Sequence, residues 1–167
     1  MGDPELTHLD EAGRAHMVDV SAKQPTARRA VAEGLVRMQP ETVARIVEGD
    51  VAKGDALAVA RIAGIQGAKR AADLIPLCHP IRLDKVRVDL APVEGGIQVT
   101  VEAIAFDRTG VEMEAMAAVS AAGLALYDMI KGVDRSASIA EVRLLRKEGG
   151  RSGLWTRDAG EASSHDR

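Results

Sequence analysis

Two alternating segments around a glycine pair, one long apolar helix and a last short strand predict an α+β fold. Along the 167-residue chain the signals run strand, helix, strand, strand, helix, strand, with one extra short helix after the first strand. That order is the split pattern of a ferredoxin-like βαββαβ sandwich with an antiparallel sheet.

Each element has its own justification. Residues 1–24 are polar, carry His8 and His16, and read as a flexible N-terminal segment. Over 27–38 two periods compete. Ala27, Val31, Leu35 and Met38 fit a helix face, whereas Ala30, Ala32, Gly34, Val36 and Met38 fit one face of a strand. Gly34 and the following Pro40 favour the strand. Pro40 opens a short helix ending near Gly49. Asp55 caps a longer helix to about Ala72, and its small residues Ala60, Ala63, Gly64 and Gly67 allow close packing. Pro76 and Pro80 then stiffen a loop. Residues 85–90 and 96–102 alternate on either side of Glu94-Gly-Gly96, which predicts a hairpin. Thr109 or Gly110 precedes a helix over 112–130, and 139–145 forms the final strand. Gly149, Gly150 and Gly153 break the pattern, and 154–167, polar apart from Trp155, reads as a disordered tail. One domain over 25–153 is expected, without internal repeats.

The helix over 112–130 is apolar nearly all round: Met113, Met116, Val119, Leu124 and Leu126 do not share one stripe. A two-layer domain covers one side of such a helix. Either alanines and glycines are tolerated outside, or the other side meets a partner subunit.

Composition narrows the function. Charged residues make up 28%, apolar residues 46%, and the net charge is −3. That balance argues against a general nucleic-acid or membrane-surface binder, though a local basic pocket remains compatible with it. The single cysteine, Cys78, excludes an intramolecular disulfide and fits a reducing cytosol. The first residues lack signal-peptide regions, and the apolar run 115–127 is short for a bilayer. A cytoplasmic protein is therefore expected. Aromatics are 2%, too few for base-stacking platforms.

Several side chains could carry chemistry. Asp128 and Lys131 are three apart at a helix end and share a face, which by spacing alone is an ordinary ion pair. Glu112 and Glu114 occupy a first helical turn, where acids suit the dipole, and point in different directions. His79 lies between Cys78 and Pro80, and neighbouring side chains in an extended loop diverge, so a Cys–His nucleophile pair is disfavoured. Lys53, beside Gly54 and just before a helix start, is either solvated or a phosphate-binding cation. Lys69 and Arg70 read as solvated. Lys147-Glu-Gly-Gly-Arg-Ser-Gly153 is basic and glycine-rich but does not match the P-loop pattern. His8, His16 and His79 lack ligand spacing, so no metal site is expected, while magnesium travelling with substrate phosphates is compatible.

The segments Ala60-Arg-Ile-Ala-Gly-Ile-Gln-Gly-Ala-Lys-Arg70, Asp73-Leu-Ile-Pro-Leu-Cys-His-Pro80, Thr109-Gly-Val-Glu-Met-Glu-Ala115 and Tyr127-Asp-Met-Ile-Lys131 together resemble the cyclic pyranopterin monophosphate synthases of molybdenum cofactor biosynthesis. The resemblance runs from about Leu6 to Gly153. It implies the same α+β fold and a cytosolic lyase without a resident cofactor. The substrate it implies is a cyclised dihydroguanosine triphosphate, with ribose carbon 3′ joined to purine carbon 8. The product is a cyclic pyranopterin monophosphate, with diphosphate released. Such a reaction needs acid–base groups, activation of a ribose hydroxyl and cations around a triphosphate. The resemblance implies Asp128, Lys131 and Lys53 as catalytic, and Leu77, Cys78, His79, Glu112, Met113 and Glu114 as substrate-binding. Glu114 is favoured for reading nitrogen donors of the base, with Glu112 free to organise a lysine. It further implies a homohexamer, a trimer of dimers with sites at subunit interfaces. This chain has Arg151 where lysine is commoner, and Glu148 where a small polar residue is commoner, which weakens a phosphate role for that loop. Two competing readings are a non-catalytic ferredoxin-like module binding a ligand between subunits, and an RNA-recognition module. The second is poor in aromatics, with Phe106, Tyr127 and Trp155 alone.

Overall fold

A computed structural model describes residues 12–157. The contested segment is a strand, β1 (Thr26–Arg37), with Ala30, Ala32, Gly34 and Val36 buried on one face and Arg29, Val31, Glu33 and Leu35 on the other. Gly34 decides the fit: a Cβ there would stand 2.6 Å from Val119 Cγ1 on the helix that crosses the strand.

Helix α1 (Pro40–Glu48) begins with proline in its first turn and ends at Gly49. Gly49, at φ 74°, lets its own amide reach the Ile46 carbonyl and the Asp50 amide reach Arg45, a Schellman closure. Helix α2 (Ala56–Lys69) is capped by Asp55, whose carboxylate accepts from the Ala58 amide at 2.9 Å. It stops before the expected Ala72. Arg70 leaves helical geometry, a single turn α3 (Ala71–Leu74) follows, and Ile75 is extended, as the residue before Pro76 must be.

The hairpin β2 (Leu83–Val93) and β3 (Gly96–Asp107) closes through Glu94 and Gly95, the latter at φ 82°. Both strands outrun the alternating segments that predicted them. Ala103, Ile104 and Ala105 blur the period, yet β3 is paired with β2 through Ala105 and with β1 through Asp107. Helix α4 (Glu112–Ile130) and β4 (Ser138–Glu148) complete the predicted order. The segment from 154, expected to be disordered, instead opens with a two-residue strand, β5 (Trp155–Thr156), paired to Arg146 and Lys147. Residues 158–167 lie outside the described residues, as do 1–11 of the expected flexible N-terminal segment.

The sheet is antiparallel throughout, in the order β2-β3-β1-β4-β5. Between β1 and β4 the register slips twice. Glu141 and Val142 share the place opposite Gly34, and Glu141 sits at φ 57°. Helices α2 and α4 cover one face. By length and composition α4 could cross a bilayer, but here it is the core helix, with Ala118, Val119, Ala122, Leu126 and Ile130 almost fully buried. Its second flank is partly covered within the chain. Gly67 presses so close that an added Cβ would stand 2.5 Å from Ala121 Cβ and 2.9 Å from the Ala117 carbonyl. Leu124, Ile62 and Val59 remain exposed beside this seam. The open face of the sheet carries charge: Glu102 pairs with Arg29 and Lys85, and Glu33 with Arg143.

Candidate active site

The N-terminal end of α4 opens onto two joined clefts of about 930 and 510 Å³, which share Lys23, Thr109, Gly110 and Glu112. The smaller is walled by Leu77, Cys78, His79 and Met113, four of the expected substrate-binding residues. Pro76 and Pro80 hold that loop, and the Cys78 amide bonds to the Ile75 carbonyl at 3.0 Å. Glu112 lies on the floor, 3.6 Å from Lys147 Nζ. Glu114 sits behind the wall. It is 2% exposed, its Oε1 is 3.7 Å from Cys78 Sγ, and its Oε2 has no partner. Burial pushes the Glu114 carboxyl above its ordinary range. Burial and the nearby Glu114 and Glu112 push the Cys78 thiol up to about 11. That thiol stays protonated at neutral pH, which suits a wall and not a nucleophile.

The larger cleft is basic, lined by Lys23, Arg28, Arg108, Lys147 and Arg151 around Gly149 and Gly150. Arg28 donates to the carbonyls of Asp107 and Arg108 at 3.1 and 3.0 Å, and its guanidinium lies against Gly150. A side chain at Gly150 would collide with it, and one at Gly149, φ 98°, would strike the Ala27 carbonyl. Glu148, suspected of repelling phosphate, is occupied: Arg29 donates to it at 2.8 Å and Arg146 stands beside it. The sheet absorbs that charge.

Sequence reasoning missed one wall of both clefts. Val18 and Val20 line the smaller, Asp19 and Gln24 the larger, and Lys23 both. The Lys23 carbonyl is held by Arg108 Nε at 3.0 Å. The available signal was Met17, Val18 and Val20, apolar residues in an otherwise polar stretch.

The other three candidates meet at the C-terminal end of α4. Asp128 takes Lys131 Nζ on one oxygen and Lys53 Nζ on the other, each at 2.7 Å. Lys53 also donates to the Asp128 carbonyl at 2.7 Å. Those bonds, from Lys131 first and then Lys53, hold the Asp128 carboxyl down at about 2. Asp128 in turn raises the Lys131 ammonium. All three are roughly half exposed, so at rest the cluster holds two cations on an open surface. Covering it would desolvate Lys131 and work against the rise that Asp128 gives it, the direction a proton donor needs.

The two clusters sit at opposite ends of an unbroken 19-residue helix. At 1.5 Å per residue, Glu112 and Asp128 are about 24 Å apart along the axis. One protomer does not bring them together. Among the described residues no group of three or more His, Cys, Asp or Glu side chains could hold a metal ion.

Known proteins place the chain. A cyclic pyranopterin monophosphate synthase of Roseiflexus sp. (strain RS-1) is 57% identical over 158 residues, covering 92% of this chain and 99% of that protein. Proteins of the same name from Methylobacterium nodulans and Thermomicrobium roseum are 58% and 55% identical, covering 91% and 95% of this chain and 96% of each relative. The family model described as MoaC family matches residues 17–150, from the wall of the clefts through the last long strand. With most of its length aligned to that model and to full-length relatives, the chain belongs to the MoaC family.

Proposed function

We propose that this protein is a cyclic pyranopterin monophosphate synthase: a lyase that rearranges 3′,8-cyclo-7,8-dihydroguanosine triphosphate and releases diphosphate. The observation that carries the reading is a basic, glycine-edged cleft opening directly into a pocket walled by Leu77, Cys78, His79 and Met113. The cations of the larger cleft suit a triphosphate and the apolar wall suits a purine-derived ring. Glu112, tied to Lys147, stands between them. Lys131 acts as proton donor, oriented by Asp128, while Lys53 supplies a second cation. Attack of a ribose hydroxyl on the α-phosphorus forms the cyclic phosphate as the bond to diphosphate breaks.

Because one protomer separates the two clusters, the complete site joins the N-terminal end of α4 in one subunit to the C-terminal end in another. Exposed Leu124, Ile62 and Val59 supply an apolar face for that contact, within a trimer of dimers. No resident cofactor is required; magnesium accompanies the substrate phosphates if it takes part. A cytosolic location fits the unpaired Cys78.

The test is diphosphate release from the cyclised nucleotide. Wild type should turn over, and Asp128→Ala or Lys131→Ala should lower the rate about 10² to 10⁴-fold while remaining folded. A wild-type protein that binds the nucleotide without releasing diphosphate would instead be a ligand-binding module.

A further inference from the structure

Lys53, Asp128 and Lys131 are about half exposed, and ion pairs in that setting do little to hold a backbone. Something else sets where Lys53 stands. Asp134, whose amide ends the turn after Lys131, is 5% exposed, with both carboxylate oxygens engaged. Its Oδ2 accepts from the Gln39 amide at 2.8 Å and the Thr42 hydroxyl at 3.2 Å. Its Oδ1 accepts from the Ser136 amide at 3.0 Å and the Ser136 hydroxyl at 2.6 Å.

These bonds reach two segments. Gln39 is the cap residue of α1 and its side chain makes no capping bond, so Asp134 supplies an acceptor to that helix start from 95 residues away. Helix α1 then delivers the chain, through Gly49, into the loop that carries Lys53. On the other side, the Asp134 amide bonds to the Ile130 carbonyl at 2.9 Å and the Lys131 amide to Tyr127 at 2.8 Å, closing the turn that carries Lys131. The buried carboxylate thus ties the start of α1 to the residue that ends this turn.

We propose that Asp134 is the positioning residue of the Lys53–Asp128–Lys131 cluster, fixing Lys53 against the end of α4. This role builds on the reading of that cluster as part of the active site. Removing the carboxylate strands the Gln39 and Ser136 amides, loosens the start of α1 and lets Lys53 lose its register on Asp128. A displacement of about 1 Å at a reacting group can cost about 10²-fold in rate.

The experiment combines kinetics with titration. Asp134→Ala should lower kcat/KM by about tenfold or more, and Asp134→Asn, which keeps one acceptor, should lie between it and wild type. In a Lys53→Ala background the same Asp134→Ala change should cost no more than about twofold, because the group it positions is already gone. Equal losses in both backgrounds would mean general destabilisation and would overturn the proposal, as would a folded Asp134→Ala enzyme within twofold of wild type. A readout independent of substrate is the carboxyl of Asp128 followed by carbon-13 NMR. It should titrate at about 2 in wild type and move up towards the ordinary aspartate range in Asp134→Ala. Thr42→Val and Asp134→Asn should move it the same way by less, and they decide the matter if Asp134→Ala fails to fold. An unmoved Asp128 in the folded variants refutes the positioning role. If wild type releases no diphosphate, the proposed reaction fails while the titration still judges Asp134.

Discussion

Glu114 shows how far single residues could be read. Its place in the first turn of a helix was plain, but its burial behind Cys78 was not, because burial depends on the loop folding over it. Its folded-state proton affinity lies above the ordinary value of 4.5. The folded protein thus holds this proton more tightly than the unfolded chain, and stability falls as pH rises from about 4.5 through the folded value. Glutamine carries no charge to bury. Glu114→Gln should therefore melt higher than wild type near neutral pH, with the advantage shrinking as pH falls towards 4.5, as scanning fluorimetry at both pH values would read. A variant that melts lower at neutral pH would mean that the carboxylate has a stabilising partner. Lys53 was open between a solvated and a phosphate-binding cation, since its contact with Asp128 spans 75 residues of chain. Val18, Val20 and Lys23 were missed for a related reason: a strap without regular structure has no period to detect.

At the scale of elements, glycine spacing proved the better guide. Gly64 and Gly67 marked a close helix approach, and Gly67 meets α4 backbone directly. Adding a methyl there gains about 1 kcal/mol in helix propensity, but overpacking against a carbonyl that cannot move aside costs about 1–3 kcal/mol. Gly67→Ala should be destabilised on balance, by a lower denaturant midpoint. Gly123→Ala is the control, because the atoms its Cβ would meet first belong to the Ile139 side chain, at 3.2 Å, which can shift. If both variants behave alike, the α2–α4 seam is looser than it looks. The strand order and hairpin were legible because period and turn chemistry agreed. The true strand ends were not, since pairing on both sides extends β3 through residues with no alternation. The end of α2 depended on Arg70, whose departure from helical geometry had no signal of its own.

At the scale of the molecule, the continuity of α4 is the central fact. A site shared between subunits predicts complementation. His79→Ala and Asp128→Ala proteins, each inactive, should regain part of wild-type activity when refolded together, since a mixed dimer gathers both lesions in one pocket and leaves the other intact. Mixed assemblies proven by mass that stay inactive would return the chemistry to a single protomer. The slipped register of β4 has a consequence of a different kind. An exposed strand edge is a template on which further chains can add. Here the outer rim of β4 is spoiled along its length. The bulge at Glu141 twists one half away, β5 caps the other with two residues, and Arg157 takes the Leu144 and Leu145 carbonyls with its side chain and amide. At the opposite rim, Pro92 and the charged Lys85, Arg87 and Asp89 occupy β2. Both rims of the described sheet thus offer an incoming strand few free backbone partners, which leaves fibre growth by strand addition without a starting point.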